Sequence, residues 1–333
     1  MARKPKPTKQ EVNNNFLEAL KFCQLVLSDK GAPVETHIQL NNKTATAFNG
    51  ILAAGHLIEE EIYACPNNKL LIEAMSKCGQ SYSFVQLDQS RLQIKSDKFK
   101  AIVPCIDPTT IPYGTPDNIV CELTDIIKTA IETVSILTSE EGQTIHTTSI
   151  LIRSGSVVAT NGFLIFEYWH GLNMPTVAIP KALASALSNT SKKIAHFGFS
   201  DTSVTFFFED KSWIKSQLFR DQWPSVDHLL NTQANLWPIP NGFWDGVAAV
   251  TPFSSDGSVY FDNGFIKSHA TDGVGATYEV SGLPKGPIFN AKNLMLIKPH
   301  AKNIDFVAQG TTANSTMLVF QGDQIRGAML GRI

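Results

Sequence analysis

Charge of one sign, long apolar runs and enzyme signatures are all scarce in this chain, and each shortage removes a class of function. The longest apolar runs, such as Val247–Val250, fall far short of the roughly 20 residues that a membrane helix needs, so no membrane partner is expected. The 28 Lys and Arg nearly balance 30 Asp and Glu. Four of the cations (Arg3, Lys4, Lys6 and Lys9) lie in residues 1–9, which hold no apolar stretch and read as a short flexible basic tail, not a secretory signal. The other 24 leave a mildly acidic body, so any nucleic-acid contact must come from local clustering. The five cysteines form no CxxC pair and sit beside apolar residues, which predicts reduced core thiols in a cytoplasmic protein.

No phosphate-binding GxxxxGKS/T loop, GxSxG elbow or HExxH occurs, and the eight histidines include no i,i+4 pair. The acidic runs Glu59–Glu61 and Glu140-Glu141 read as solvated surface. No catalytic residue, metal site or cofactor is expected, and an enzyme would need a dispersed active site.

What the chain has is internal repetition over its 333 residues, a length that predicts two or three domains. Three segments, 44–50 (TATAFNG), 156–162 (SVVATNG) and 267–273 (KSHATDG), each run a small or β-branched stretch into an Asn-Gly or Asp-Gly pair, and their glycines are 112 and 111 residues apart. Helical periodicity precedes the first two: Phe16, Leu20, Cys23 and Leu27, then Leu123, Ile127, Ala130, Val134 and Leu137. A shorter helix is expected over residues 243–250. A second helix is expected after Cys65-Pro66, Ile179-Pro180 and Phe289-Asn290, where proline suits a first turn and asparagine a cap. Pro299 should shorten the third of these. Each unit then closes with β-hairpin patterns, from Tyr82, from Ala195 and from Ile304. Pro104, Pro108, Pro112 and Pro116, and later Pro224, Pro238 and Pro240, read as linkers.

The expected fold class is therefore α+β: three tandem repeats, each with two helices packed on antiparallel sheet, at residues 10–115, 116–235 and 236–333 behind the 1–9 tail. Lys21, Lys69, Lys77, Lys128, Lys181, Lys192, Lys193, Lys292, Lys298 and Lys302 fall on or just after the predicted helices. Lysine is a good helix former on any solvated face, yet a basic helical layer on an acidic body also suits a phosphate backbone.

Residues Val158–Leu164 (VATNGFL), Val177–Lys181 (VAIPK), Val204–Asp210 (VTFFFED) and Phe219–Pro224 (FRDQWP) resemble, in order and spacing, the middle domain of the bacterial-type DNA sliding clamp, the β subunit of DNA polymerase III. The chain looks like a divergent, phage-like form of that family. Its departures are Phe163-Leu164 where the family has His-Arg, Asn231 where it has proline, and a C-terminus, Ala328–Ile333 (AMLGRI), without the family's proline. They bear on the partner's peptide, not on the fold.

The resemblance implies a DNA sliding clamp, a processivity factor whose head-to-tail homodimer makes a six-domain ring. Twelve helices about 9 Å apart would leave a hole of roughly 24 Å for double-stranded DNA. It implies a replicative DNA polymerase and a clamp-loader ATPase as partners. The resemblance implies helices lining the ring, so the nine helix lysines other than Lys298 are expected to form its DNA-facing layer. It puts a partner-peptide pocket at Thr160, Gly162, Phe163 and Leu164 with Met329, Leu330, Arg332 and Ile333, and a dimer interface at Phe99, Ala101 and Val103 against Ala249 and Val250. The competing reading is a repeat-built β-rich structural or assembly protein, which would need no basic face.

Overall fold

A computed structural model describes residues 10–11, 14–79, 81–112, 114–219, 221–271, 274–309 and 315–332. The basic tail, Ile333 and the Asp272-Gly273 pair of the third repeat lie outside the described residues. Nine helices are formed among them: α1 (Asn14–Gln24), α2 (Pro33–Thr36), α3 (Asn68–Ser76), α4 (Ile126–Ser135), α5 (Ile145–Thr148), α6 (Lys181–Ser188), α7 (Asp227–Leu230), α8 (Phe243–Val250) and α9 (Ala291–Ile297). Helices α1, α4 and the shorter α8 open the three repeats, and α3, α6 and α9 are the second helices.

The helical period places Phe16, Leu20 and Cys23 of α1, and Ile127, Ala130, Ile131 and Val134 of α4, fully out of solvent. Asn67 and Asn290 cap α3 and α9, accepting from the Leu70 and Asn293 amides at 3.1 and 3.0 Å. Pro66 and Pro180 do not occupy first helical turns as expected; both end the strand before the helix. Helix α9 stops two residues before Pro299.

The chain divides into two compact units, Met1–Lys128 with Ala182–Arg220, and Thr129–Lys181 with Asp221–Ile333. The first holds a five-stranded sheet in the order Gln10–Glu11, Ser81–Asp88, Arg91–Ser96, Phe99–Ile106, Cys65–Pro66. Its second sheet has seven strands in the order Gln39–Asn41, Thr44–Phe48, Leu52–Leu57, Trp213–Gln217, Ser203–Phe208, Ile194–Phe199, Ile119–Glu122. Helix α1 packs on α3 and on the strands Thr44–Phe48 and Leu52–Leu57. Pro104 is not in a linker. It lies in the strand Phe99–Ile106, and because its carbonyl accepts from Asn67 on that edge, its missing N–H faces a side with little ladder pairing.

The second unit is built on a twelve-stranded sheet. Its main path runs Val177–Pro180, Ser149–Arg153, Ser156–Thr160, Leu164–Trp169, Ile325–Arg332, Ile288–Asn290, Ser258–Phe261, Phe265–Lys267, Thr277–Glu279. The strands Ser315–Gln321, Asn303–Gln309 and Trp237–Pro238 extend from Ile325–Arg332, so Pro238 too is in a strand. Helix α8 packs on α9, and Phe243 of α8 joins Phe261, Phe289 and Phe306 in a cluster of edge-to-face and tilted rings.

A repeat does not complete its own sheet. The early strands of the first repeat continue into the hairpins of the second through Leu52–Leu57 against Trp213–Gln217. Those of the second continue into the third through Leu164–Trp169 against Ile325–Arg332. All five cysteines are free thiols, and burial pushes Cys23 and Cys65 up to about 12 and Cys105 to about 11, so none is poised to react at neutral pH.

Candidate partner pocket and helix lysines

The turn after Ser156–Thr160 is shaped by its own polar side chains. Asn161 Oδ1 accepts from the Phe163 and Leu164 amides at 3.0 and 2.8 Å, and Thr160 Oγ1 donates to the Leu164 carbonyl at 2.8 Å. Gly162, at φ +89°, takes the left-handed conformation that closes the turn. With the backbone so fixed, Phe163 stands 63% exposed, an unusual state for a large apolar ring.

Beside it lies an apolar pocket of about 170 Å³ lined by Thr160, Gly162, Phe163, Leu164 and Ile165 from the turn and strand, Leu229 from α7, Met317, and Ala328 and Leu330 from the last strand. The Leu330 amide donates to the Phe163 carbonyl at 2.8 Å, tying the last strand to the turn. Thus Thr160, Gly162, Phe163, Leu164 and Leu330 are brought together as expected. Met329 is not with them: side chains alternate along a strand, so it points into the core, fully buried, while Ala328 and Leu330 face the pocket. Arg332 turns instead toward Ser258 Oγ at 3.3 Å and Asp256 at 3.9 Å, and Ile333 lies outside the described residues. The residues that sequence reasoning missed are Ile165, Leu229, Met317 and Ala328. Strand alternation would have found Ala328, but the Met317 wall depends on strand pairing with Leu330 and the Leu229 wall on packing of a distant helical turn.

Next to the pocket on the same sheet face, Glu167 is buried between two arginines. Its carboxylate accepts from Arg326 Nε at 2.7 Å, from Ser156 Oγ at 2.8 Å and from Arg153. Burial alone would raise its pKa; these donors outweigh that and hold it below the usual carboxylate range. Arg153 Nη1 also donates to Asp227 of α7 at 2.7 Å.

The helix lysines separate into two groups. Lys21, Lys77, Lys193 and Lys292 are exposed and make no ion pair among the described residues. The others are engaged. Lys69 pairs with Asp29 at 2.7 Å and Lys302 with Asp323 at 2.6 Å. Lys181 donates to the Ser135 carbonyl at 2.7 Å, and its burial lowers its pKa; Lys128 donates to the Thr190 carbonyl. Lys192 lies over the Phe22 ring, pairs with Asp210 and donates to His56 Nε2 at 2.8 Å. Five of the nine assigned lysines are therefore already satisfied within the protein.

Of the expected interface residues, Phe99 and Ala101 are half-buried, and Ala249 is exposed on α8. Val103 and Val250 are buried in the protein's own core, so the side chains presented on those segments are Ile102 and Phe253 instead. Among the described residues the strand Phe99–Ile106 is engaged on its second edge from Pro104 to Ile106, and Thr277–Glu279 ends its sheet.

This threefold arrangement of helix pairs on shared antiparallel sheet is the sliding-clamp fold. Over 98% of its length the chain superimposes on the whole of the Caulobacter crescentus polymerase III β chain with a TM-score of 0.79 at 15% identity. A Bartonella birtlesii DnaN sliding clamp bound to griselimycin matches over 98% of this chain and all of its own, at TM-score 0.76 and 16% identity. A Helicobacter pylori β clamp bound to a DNA ligase peptide matches over 99% of this chain and all of its own, at TM-score 0.74 and 13% identity. No family model matches the sequence, and no curated protein matches it.

Proposed function

We propose that the chain is a DNA sliding clamp: a non-enzymatic ring that encircles duplex DNA and tethers a replicative DNA polymerase. The observation that carries this reading is the full-length likeness to polymerase III β clamps, with no segment of those chains left uncovered. Three repeat units, bounded near residues 10–115, 116–235 and 236–333, make half of a six-domain ring. The exposed Lys21, Lys77, Lys193 and Lys292 supply its DNA-facing charge, and weak phosphate contacts let the ring slide. A cytoplasmic location and a clamp-loader ATPase complete the proposal.

Closure by a second copy is supported by two sheet edges that are open among the described residues, one along Phe99–Val103 and one along Thr277–Glu279. In-chain junctions of the same strand classes are paired. Lys98 and Lys100 beside the first edge and Glu279 on the second are exposed and opposite in charge. Light scattering should give twice the 36.5 kDa chain mass, and a strict monomer at micromolar concentration would contradict closure.

The pocket at Phe163 and Leu330 takes the apolar side chains of a partner's linear peptide. Leu330→Ala, which trims the half-exposed side chain and keeps the ladder, should weaken binding of the DNA ligase peptide seen on the Helicobacter pylori clamp while leaving dimer mass and melting temperature nearly unchanged; intact affinity would remove the site from consideration.

A further inference from the structure

The pocket has three walls that are far apart in sequence, and one buried carboxylate is linked to them through two arginines. Glu167 follows Ile165 by two residues, so both face the same side of the strand; Ile165 is in the pocket and Glu167 in the adjacent layer. Across the ladder, Ile165 pairs with Ala328 and Glu167 with Arg326, so the Arg326–Glu167 ion pair fixes the strand that carries Ala328 and Leu330. From the other side Arg153 binds Glu167 and Ser156, the latter through Nε at 2.9 Å, and extends its remaining nitrogen to Asp227 at 2.7 Å.

Asp227 opens α7, the single turn that delivers Leu229 to the pocket. A one-turn helix does not stand by itself, because nucleation fixes several residues for one hydrogen bond. This one is held from beneath by Val226 and Leu230 in the apolar cluster with Val158, Ile165 and Met317, and at its approach by Trp223 Nε1 donating to Ser149 Oγ at 2.9 Å. Its charged tether, among the described residues, is Arg153; just past its end Thr232 Oγ1 adds only a long bond to Met317 Sδ at 3.8 Å. An exposed ion pair normally loses most of its attraction to side-chain ordering, but here Arg153 is already immobilised by Glu167 and Ser156, so only Asp227 has to be ordered.

We propose that Arg153 is a positioning residue of the peptide pocket: anchored on Glu167, it holds Asp227 and thereby sets where Leu229 stands against Phe163 and Leu330. The inference rests on the pocket reading above and extends it to residues that touch no peptide. Ligand occupancy and the mobility of Asp227–Leu230 are then coupled, since a peptide packed on Leu229 gains only if that wall is in place.

The test uses the full-length protein with Asp227→Asn, which removes the charge but keeps the shape, and Asp227→Glu, which restores it. Two readouts are taken: amide exchange over residues 226–232, and anisotropy of the labelled Helicobacter pylori ligase peptide. Asp227→Asn should speed exchange of the Leu229, Leu230 and Asn231 amides, weaken the peptide about three- to tenfold, and leave melting temperature and dimer mass unchanged. Asp227→Glu should recover most of both. Unchanged exchange in Asp227→Asn overturns the positioning role whatever the peptide does. Phe163→Ala serves as the separate control on the pocket itself. If it leaves affinity intact, or the parent protein does not bind the peptide, the pocket reading fails, while the exchange data still decide whether Arg153 holds the wall.

Discussion

The two in-chain junctions share a backbone plan and differ in what they place on its face. At the first, Asn49 Oδ1 accepts from the Ile51 and Leu52 amides, Gly50 sits at φ +96°, and the Gln217 amide donates to the Ile51 carbonyl. At the second, Asn161, Gly162, Phe163 and Leu330 repeat each of these interactions. Strand register then matches Ala328, Leu330 and Met317 of the second to Lys215, Gln217 and Ser203 of the first. Where the second is apolar and open, the first is polar and filled. Asp117 accepts from Ser203, Thr205 and Lys215 at 2.8 to 2.9 Å, and Lys215 also donates to the Thr115 carbonyl, so the connector itself occupies the face. In the adjacent layer the buried pair Glu167 and Arg326 answers to Gly55 and Trp213, where the indole covers a glycine. One backbone plan thus yields an open apolar pocket or a sealed joint according to a few outward positions.

The largest effect expected from breaking this contrast is at Glu167. Replacing it by leucine leaves Arg153 and Arg326 without their common partner, which should cost about 3 kcal/mol, the low end for a buried pair because both guanidiniums are partly exposed. Thermal unfolding should show it. Because the folded-state pKa of Glu167 is depressed, its contribution is full above the unfolded carboxylate range and is lost as pH falls through the folded value. The gap between parent and variant should therefore begin to close once pH falls below the unfolded carboxylate range, and vanish below the depressed folded value. A pH-independent gap would mean packing, not charge, is what Glu167 supplies.

Gly55→Ala comes next. Its Cβ would stand 2.3 Å from the Trp213 ring, so overpacking of about 1–3 kcal/mol is expected at the first junction with peptide affinity at the second unchanged. A smaller cost, about 1 kcal/mol, is expected for Asp117→Asn, which weakens the charge-assisted bonds that hold the connector. Titration calorimetry of that variant should still find one peptide site per chain; a second site would show that the connector, and not the polar lining, seals the first junction.

The repeats, the helix pairs and the hairpins were legible because each is a local period set by burial of one face: Phe16, Leu20 and Cys23 announce α1, and Thr160 to Leu164 announce the turn. The sharing of sheets between repeats was not, since nothing near Leu52 specifies Ser216 as its ladder partner. The same limit hid Met317 and Leu229 from the pocket, whereas Met329 fails on strand alternation, a local rule. The lysines show a further limit: their positions on helices were readable, their partners were not, so Lys192 and Lys193 looked alike although Asp210 and His56 claim the first.

That difference gives the smallest effect. Lys193→Glu should leave stability within about 0.5 kcal/mol and reduce the salt slope of DNA binding by about 0.9 for every phosphate that the lysine no longer neutralises. Lys192→Glu would set a carboxylate against Asp210, whose own carboxyl is raised by burial but held at about 2 by Lys192 and Ser212, and should lower the melting temperature first. Equal effects of the two on stability would contradict the division into engaged and exposed lysines.

The most direct test of DNA encirclement is retention on closed circular duplex after loading by the clamp-loader ATPase. The protein should stay on the intact circle through gel filtration at moderate salt and be released when one restriction cut makes the circle linear. Equal retention on circular and linear DNA, or loss from the closed circle at the same rate as from the linear form, would contradict a ring around DNA.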